Sequence, residues 1–303
     1  MPSLPNVAIN IIGPIFLVIG VAVVYGRRFS PDLRTLSTLL IYVFSPCLVF
    51  EGIYRANLQT GQVEKVVALV VLITAALGLT GWVLARLFHF DRQLETSFIV
   101  TLILVNAANY GIPLNEFAFG PEGRQGAVIY YTVTAVIANN LGIYLVSRGK
   151  GSARQALLNV VRAPLIYGAL LALILNLGKV ELPLPIERAV TILSQASIPG
   201  MLILLGLQLA RVSIAGRLWP IVLAAGTRLV VAPVFAFVLA AWLGLTGVAR
   251  QVSIVEASMP TAVLAIAITA QFGGDDDFTS AVILFSTLAS IVTLTVLLSI
   301  LMA

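Results

Sequence analysis

Asn106-Ala107-Ala108-Asn109-Tyr110-Gly111-Ile112-Pro113 and Ser253-Ile254-Val255-Glu256-Ala257-Ser258-Met259-Pro260 are the two stretches whose reading decides the fold. Each lies inside a long apolar run, and each passes from polar residues into a proline. Counted back from the prolines, Asn106 matches Ser253 at seven residues, and Asn109 matches Glu256 at four. Downstream, each apolar continuation ends in Phe-Gly, at Phe119-Gly120 and Phe272-Gly273. A proline inside a helix removes a donor and frees the carbonyl one turn earlier. In a bilayer, freed backbone groups are tolerated only where protein or a wet cavity covers them. Taken singly, Pro46, Pro113, Pro199 and Pro260 are each compatible with a simple kink. Two matched breaks with polar neighbours predict more: interrupted helices that meet at a buried binding site.

The surrounding chain is a membrane protein by composition. Of its 303 residues 59% are hydrophobic and 10% charged, with a mean hydropathy of +1.04. Soluble domains carry about 25% charged residues, so this chain must set apolar side chains against lipid. A spanning helix needs about 20 apolar residues. Ten apolar segments are predicted, approximately 7–26, 34–55, 63–88, 94–119, 123–146, 156–177, 187–210, 216–243, 248–272 and 277–302. Gly, Pro and charged residues mark the short connections between them.

The basic connection from Arg148 to Arg162 divides the chain into two halves, 1–150 and 151–303, of five segments each. The halves echo one another. Gly13-Pro14 answers Ala163-Pro164, Ser45-Pro46 answers Ile198-Pro199, and Pro113 answers Pro260. Five is odd, so the halves are expected to be inverted in the membrane. With both termini outside, the inner connections hold 11 basic residues and the outer ones 6. The positive-inside rule therefore favours that orientation in a cell membrane. The Asp275-Asp276-Asp277 run falls inside, where acidic residues weigh little. The N-terminus lacks a basic stretch before its first apolar run, so no cleavable signal peptide is expected.

Several function classes are excluded. There is no nucleotide-binding glycine fingerprint, Walker loop, HExxH or GxSxG, so the chain does not read as an enzyme. One histidine, His89, and one cysteine, Cys47, leave no zinc or haem site. The net charge of +5 lies between apolar runs and orients the chain rather than binding nucleic acid. Without an ATPase, transport would be driven by an ion or by membrane potential. A channel or a sensor is the alternative class.

Glu256 is the acidic residue placed inside an apolar run at a break. A carboxylate there is costly unless protonated or paired with a cation, so Glu256 is expected either to take up a cation or to pair with Arg228 of the eighth segment. Exposed carbonyls at the breaks would suit Na⁺, and half-helix N-termini would suit a carboxylate. The other intramembrane polar residues, Glu51, Thr132, Thr134, Asn139, Asn140, Gln195 and Gln208, admit structural explanations. Glu51 can pair with Arg55 one turn on, and the threonines can bond back to their own helix.

At these residues the sequence resembles the auxin efflux carrier family of plant PIN proteins and bacterial malate-permease-like transporters. Asn109-Tyr110-Gly111-Ile112-Pro113-Leu114, Leu205-Gly206-Leu207-Gln208-Leu209-Ala210 and Met259-Pro260-Thr261-Ala262 carry the likeness, which covers all ten segments. The resemblance implies an all-α fold of ten transmembrane helices in two inverted five-helix repeats, like NhaA and the bile-acid sodium symporters. The first, second, sixth and seventh segments would form a scaffold. The remaining six would form a core in which the fourth and ninth cross at Pro113 and Pro260. It further implies elevator-type movement of a small organic anion and a homodimer through the scaffold. Asn106, with Asn109, Tyr110, Pro113, Pro260 and Arg228 about the crossing, would hold the substrate. Glu256 departs from the plant pattern and is similar to the sodium symporters. Their pattern would assign Na⁺, or H⁺ on the carboxylate, to Glu256, Asn109, Ala257 and Met259, with Thr132 or Thr134. Apart from Na⁺ as a coupling ion, no cofactor is expected. Uncoupled, potential-driven efflux is the alternative mechanism.

Overall fold

A computed structural model describes residues 4–56, 61–136, 164–212 and 218–302. In chain order its helices are α1 (Leu4–Phe29), α2 (Leu33–Tyr54), α3 (Val63–Leu87), α4 (Arg92–Ile103), α5 (Ile112–Val136, two helical stretches that meet at a kink at non-helical Gly120, φ 67° and ψ −154°), α6 (Pro164–Leu177), α7 (Leu184–Leu209), α8 (Leu218–Trp242), α9 (Gly247–Ala257), α10 (Leu264–Phe272) and α11 (Asp276–Leu301). Six of them, α1, α2, α3, α7, α8 and α11, are long and apolar enough to cross a membrane. The chain is an all-helical, multi-pass membrane protein. Asn139, Asn140 and the connection from Arg148 to Arg162 lie outside the described residues.

Helix starts follow from local chemistry. Asp32, Asp91 and Asp275 each accept backbone N–H groups at the first turn of α2, α4 and α11. This is the standard use of a short acidic side chain at a helix N-cap. The acidic run at 275–277 is thereby explained: Asp275 caps α11, while Asp276 and Asp277 sit at the positive end of its dipole. At exposed Asp32, the backbone N–H of Arg34, then the Thr35 hydroxyl, hold the carboxyl below its ordinary range.

The prolines act differently from the expectation. Wide, π-type turns at Ala8–Ile12, Leu40–Phe44, Ala107–Gly111 and Thr227–Val231 each end two residues before a proline: Pro14, Pro46, Pro113 and Pro233. The residue before each proline closes the turn; Ser45 N–H bonds the Leu40 carbonyl, for example. Widening the turn by one residue removes the clash between the proline ring and the carbonyl that an α-helical register would place against it. The helix therefore continues through Pro46, and also through Pro199 inside α7. The break in the fourth segment lies not at Pro113 but at Leu104–Asn106, between α4 and the wide turn.

In lipid, helices associate by close van der Waals fit and hydrogen bonds rather than by hydrophobic exclusion from water. Here α1 packs on α7, and α2 on α6 and α7. A Cβ on Gly206 would fall 2.5 Å from the Ile19 carbonyl oxygen, and one on Gly168 2.7 Å from that of Pro46. The other helices pack mainly among themselves, with α3 on α4, α5 on α9, and α8 on α11. Leu17, Val21, Ile174, Ile192 and Trp242 face outward, as lipid-facing side chains do.

The connections gather at two ends. At one end Arg211 donates to the Pro31 carbonyl, Phe88 and Phe90 pack at a tilt against Trp219, and Ser97 bonds Asp275. At the other, Tyr54 donates to the Val180 carbonyl, Arg55 pairs with Glu187, and Lys65 reaches the Gly244 carbonyl.

Candidate transport site at the helix breaks

The two helix breaks meet. Val105 and Thr261 form an isolated antiparallel bridge. The Asn106 N–H donates to the Pro260 carbonyl at 2.9 Å, and the Ala262 N–H to the Leu104 carbonyl at 2.8 Å. Each interruption thus supplies the partners that the other exposes, as backbone within a membrane requires. The Thr261 hydroxyl donates to the Thr101 carbonyl at 2.8 Å, and the Thr261 N–H bonds Ser286 Oγ at 3.3 Å.

Arg228 completes this satisfaction. It projects from the wide turn of α8 and is 1% exposed. Its Nε donates to the Met259 carbonyl at 2.8 Å, Nη1 to Leu102 at 3.1 Å and Nη2 to Ala257 at 2.6 Å. These carbonyls belong to the C-terminal end of α4, the last residue of α9 and the second break. Arg228 therefore does not form the ion pair with Glu256 considered from sequence.

Glu256, in the last turn of α9, is fully buried. Asn115 Nδ2 donates to its Oε1 at 2.9 Å and to the Gly111 carbonyl at 3.0 Å. Glu256 Oε2 and Asn115 Oδ1 have no hydrogen-bond partner among the described residues. The carboxylate rests against Gly111: a Cβ there would fall 2.6 Å from Oε1 and closer still to Oε2. Across the first break, Asn106 is 3% exposed, and its Nδ2 is a buried donor without a partner.

The remaining sequence-predicted residues are dispersed. Asn109 is half-buried, and its side chain bonds no described residue. Tyr110 is buried on another side, edge-on to Phe16 and within 3.5 Å of Ser290 Oγ. Pro113 lies past the wide turn in α5, and Pro260 in the second break. Thr132 and Thr134 donate to the Val128 and Tyr130 carbonyls one turn back, and Thr132 lines an apolar crevice of about 270 Å³ beside α6. Of the oxygens that the sodium symporter pattern would assign, the Ala257 and Met259 carbonyls accept from Arg228, and the Thr132 and Thr134 hydroxyls donate within their own helix.

Two participants were missed from sequence, Asn115 and Gly111. Asn115 stands four residues after Gly111 and one helical turn along the same face, so helical spacing was the available signal. A cleft of about 510 Å³, lined by Gln62, Glu122, Gln125, Thr246 and Ser253 among others, opens beside the site. Ser253 lies one turn before Glu256 on α9.

Helices that cross a membrane, and a polar site buried where two interrupted helices pair, define the class as an integral membrane transporter. The chain belongs to the membrane transport protein family, which is the auxin efflux carrier family; the family model matches residues 12–155 and 150–298. An uncharacterized transporter of Methanothermobacter thermautotrophicus is 30% identical over 275 residues, 89% of this chain and 90% of the relative. An uncharacterized transporter of Methanocaldococcus jannaschii is 27% identical over 253 residues, 80% and 81% of the two chains. Family and relatives are named as transporters, not enzymes.

Proposed function

We propose that the protein is a secondary active transporter of a small organic anion, coupled to H⁺ or Na⁺ through Glu256. One observation carries the reading: the buried polar atoms left without partners at the crossing are complementary to such a pair of ligands. Asn106 Nδ2 is a donor in want of an acceptor, and a carboxylate supplies one. Glu256 Oε2 and Asn115 Oδ1 are acceptors in want of a donor or cation. An unmade buried hydrogen bond costs about 1–3 kcal/mol, so such atoms mark a place where a ligand or proton belongs. The reading places the substrate at Asn106, beside Pro260, whose carbonyl accepts from the Asn106 N–H.

The same proposal takes the chain to have ten spans in two inverted halves, with both termini outside, and to work by an elevator motion. The gathering of connections at two ends and the antiparallel pairing of the breaks support the inversion. The mutual packing of α1, α2, α6 and α7 supports a scaffold distinct from the core, and the same proposal takes two copies to associate through that scaffold.

The test is carboxylate uptake by proteoliposomes under imposed Na⁺, pH and potential gradients, for wild type and Glu256→Gln. The wild type should follow a cation gradient and show saturable counterflow, and the variant should lose the cation dependence. A variant with the wild-type response would remove Glu256 from the mechanism. Flux that follows potential alone would point to uncoupled efflux, and absence of counterflow to a channel.

A further inference from the structure

Arg228 is among the largest fully buried side chains of the molecule, yet it makes no ion pair with any described residue. Instead its three nitrogens bond three main-chain carbonyls, of Leu102, Ala257 and Met259, at 2.6–3.1 Å. Two of these carbonyls close helices: Leu102 ends α4 together with Ile103, and Ala257 is the last residue of α9. A helix C-terminus carries roughly half a negative charge. Two such ends brought together within protein repel one another and leave unbonded carbonyls. Convergent carbonyl oxygens are also the arrangement that replaces the hydration shell of an alkali cation. The guanidinium supplies these carbonyls with positive charge from within the chain, as a bound cation would from outside it.

We propose that Arg228 is a tethered cation that takes the place of an alkali cation at the crossing, so that the protein holds its broken helices together, and works, without Na⁺. Two of the three carbonyls are those of Ala257 and Met259, the pair that a sodium symporter pattern would give to Na⁺. Glu256 forms no ion pair with Arg228, and the hydrogen bond to its carboxylate comes from Asn115. The proposal rests on the transporter reading above and narrows its coupling ion.

The test uses the purified full-length protein without substrate, melted in NaCl and in choline chloride of equal ionic strength. Wild type should melt at the same temperature in both. Arg228→Ala should melt several degrees lower and be raised again by millimolar methylguanidinium, and by Na⁺ relative to choline. Arg228→Lys, which keeps a tethered cation, should stay close to wild type and indifferent to Na⁺. A Na⁺-specific rise in wild type overturns the proposal, as does a folded Arg228→Ala that ignores both added cations. Should Arg228→Ala fail to fold, wild type and Arg228→Lys decide: Na⁺ stabilisation of either overturns the proposal, and indifference of both supports it. Failure of the transport reading would show separately, as proteoliposomes without carboxylate flux. Flux that requires Na⁺, from a wild type that Na⁺ stabilises, would overturn the tethered cation and leave the transport reading intact.

Discussion

Gly111 carries no side chain where the Glu256 carboxylate lies. A methyl group there would fall 2.6 Å from Oε1 and closer to Oε2, and both partners are held by buried helix ends. Gly111→Ala is therefore expected to destabilise the protein by about 1–3 kcal/mol, the usual cost of overpacking a filled interior. Gly20→Ala is the control, since nothing lies within 4 Å of its added Cβ. Thermal melting in detergent measures both, and equal melting temperatures for the two variants would show that the carboxylate can leave Gly111 freely. The sequence made Asn106 and Glu256 visible because a polar residue in an apolar run is expensive and stands out. Gly111 has no polar side chain to stand out, and Asn115 is polar in the same apolar run but is not singled out beside Glu116. Their part depends on how α5 lies against α9, and hydropathy carries no information about that.

At the scale of elements, the prolines were legible as punctuation but not as geometry. A proline signals that the α-helical register must change; whether the chain breaks or widens depends on whether neighbouring backbone can satisfy the freed groups. At Pro113 the wide turn Ala107–Gly111 absorbs the change, while the extended residues Leu104–Asn106 pair with the second break seven or more residues upstream. Glu51 shows a similar limit. Its explanation by Arg55, one turn on, is part of the truth, with Arg55 Nη2 3.6 Å from Oε1. The closer partner is Arg124 of α5, which donates to Glu51 Oε2 and, at 3.1 Å, to Ser194 Oγ of α7. Glu51 is 5% exposed, so Arg124→Ala leaves a buried charge short of its main partner, at an expected cost of about 3–5 kcal/mol. Replacing both residues by glutamine should cost less than Arg124→Ala alone, because no buried charge is then left over. Unfolding of the single and double variants in detergent reads the difference. A double variant as unstable as Arg124→Ala would show that packing around the guanidinium, not the charge, ties α2, α5 and α7 together.

For the whole molecule, the charge asymmetry and the echo between halves were readable because both are properties of residue order. What residue order could not supply is which connections meet in space, since that follows from helix packing. The two gathered ends now make the alternating topology open to a direct experiment. Cys47 is the sole cysteine, so Cys47→Ser provides a background in which single cysteines report their own side of the membrane. Gln93 and Asp277 are exposed at the end that holds Trp219 and Ser97, while Glu64 and Glu181 are exposed at the end that holds Tyr54 and Gly244. With the basic excess inside, Glu64→Cys and Glu181→Cys should react with a membrane-impermeant maleimide in intact cells. Gln93→Cys and Asp277→Cys should react only after the membrane is opened. The reverse pattern would invert the orientation and keep the fold. Labelling of Gln93→Cys and Glu181→Cys from the same side would be more serious: the proposed inversion of the two halves requires an odd number of spans between them, and that result would overturn it.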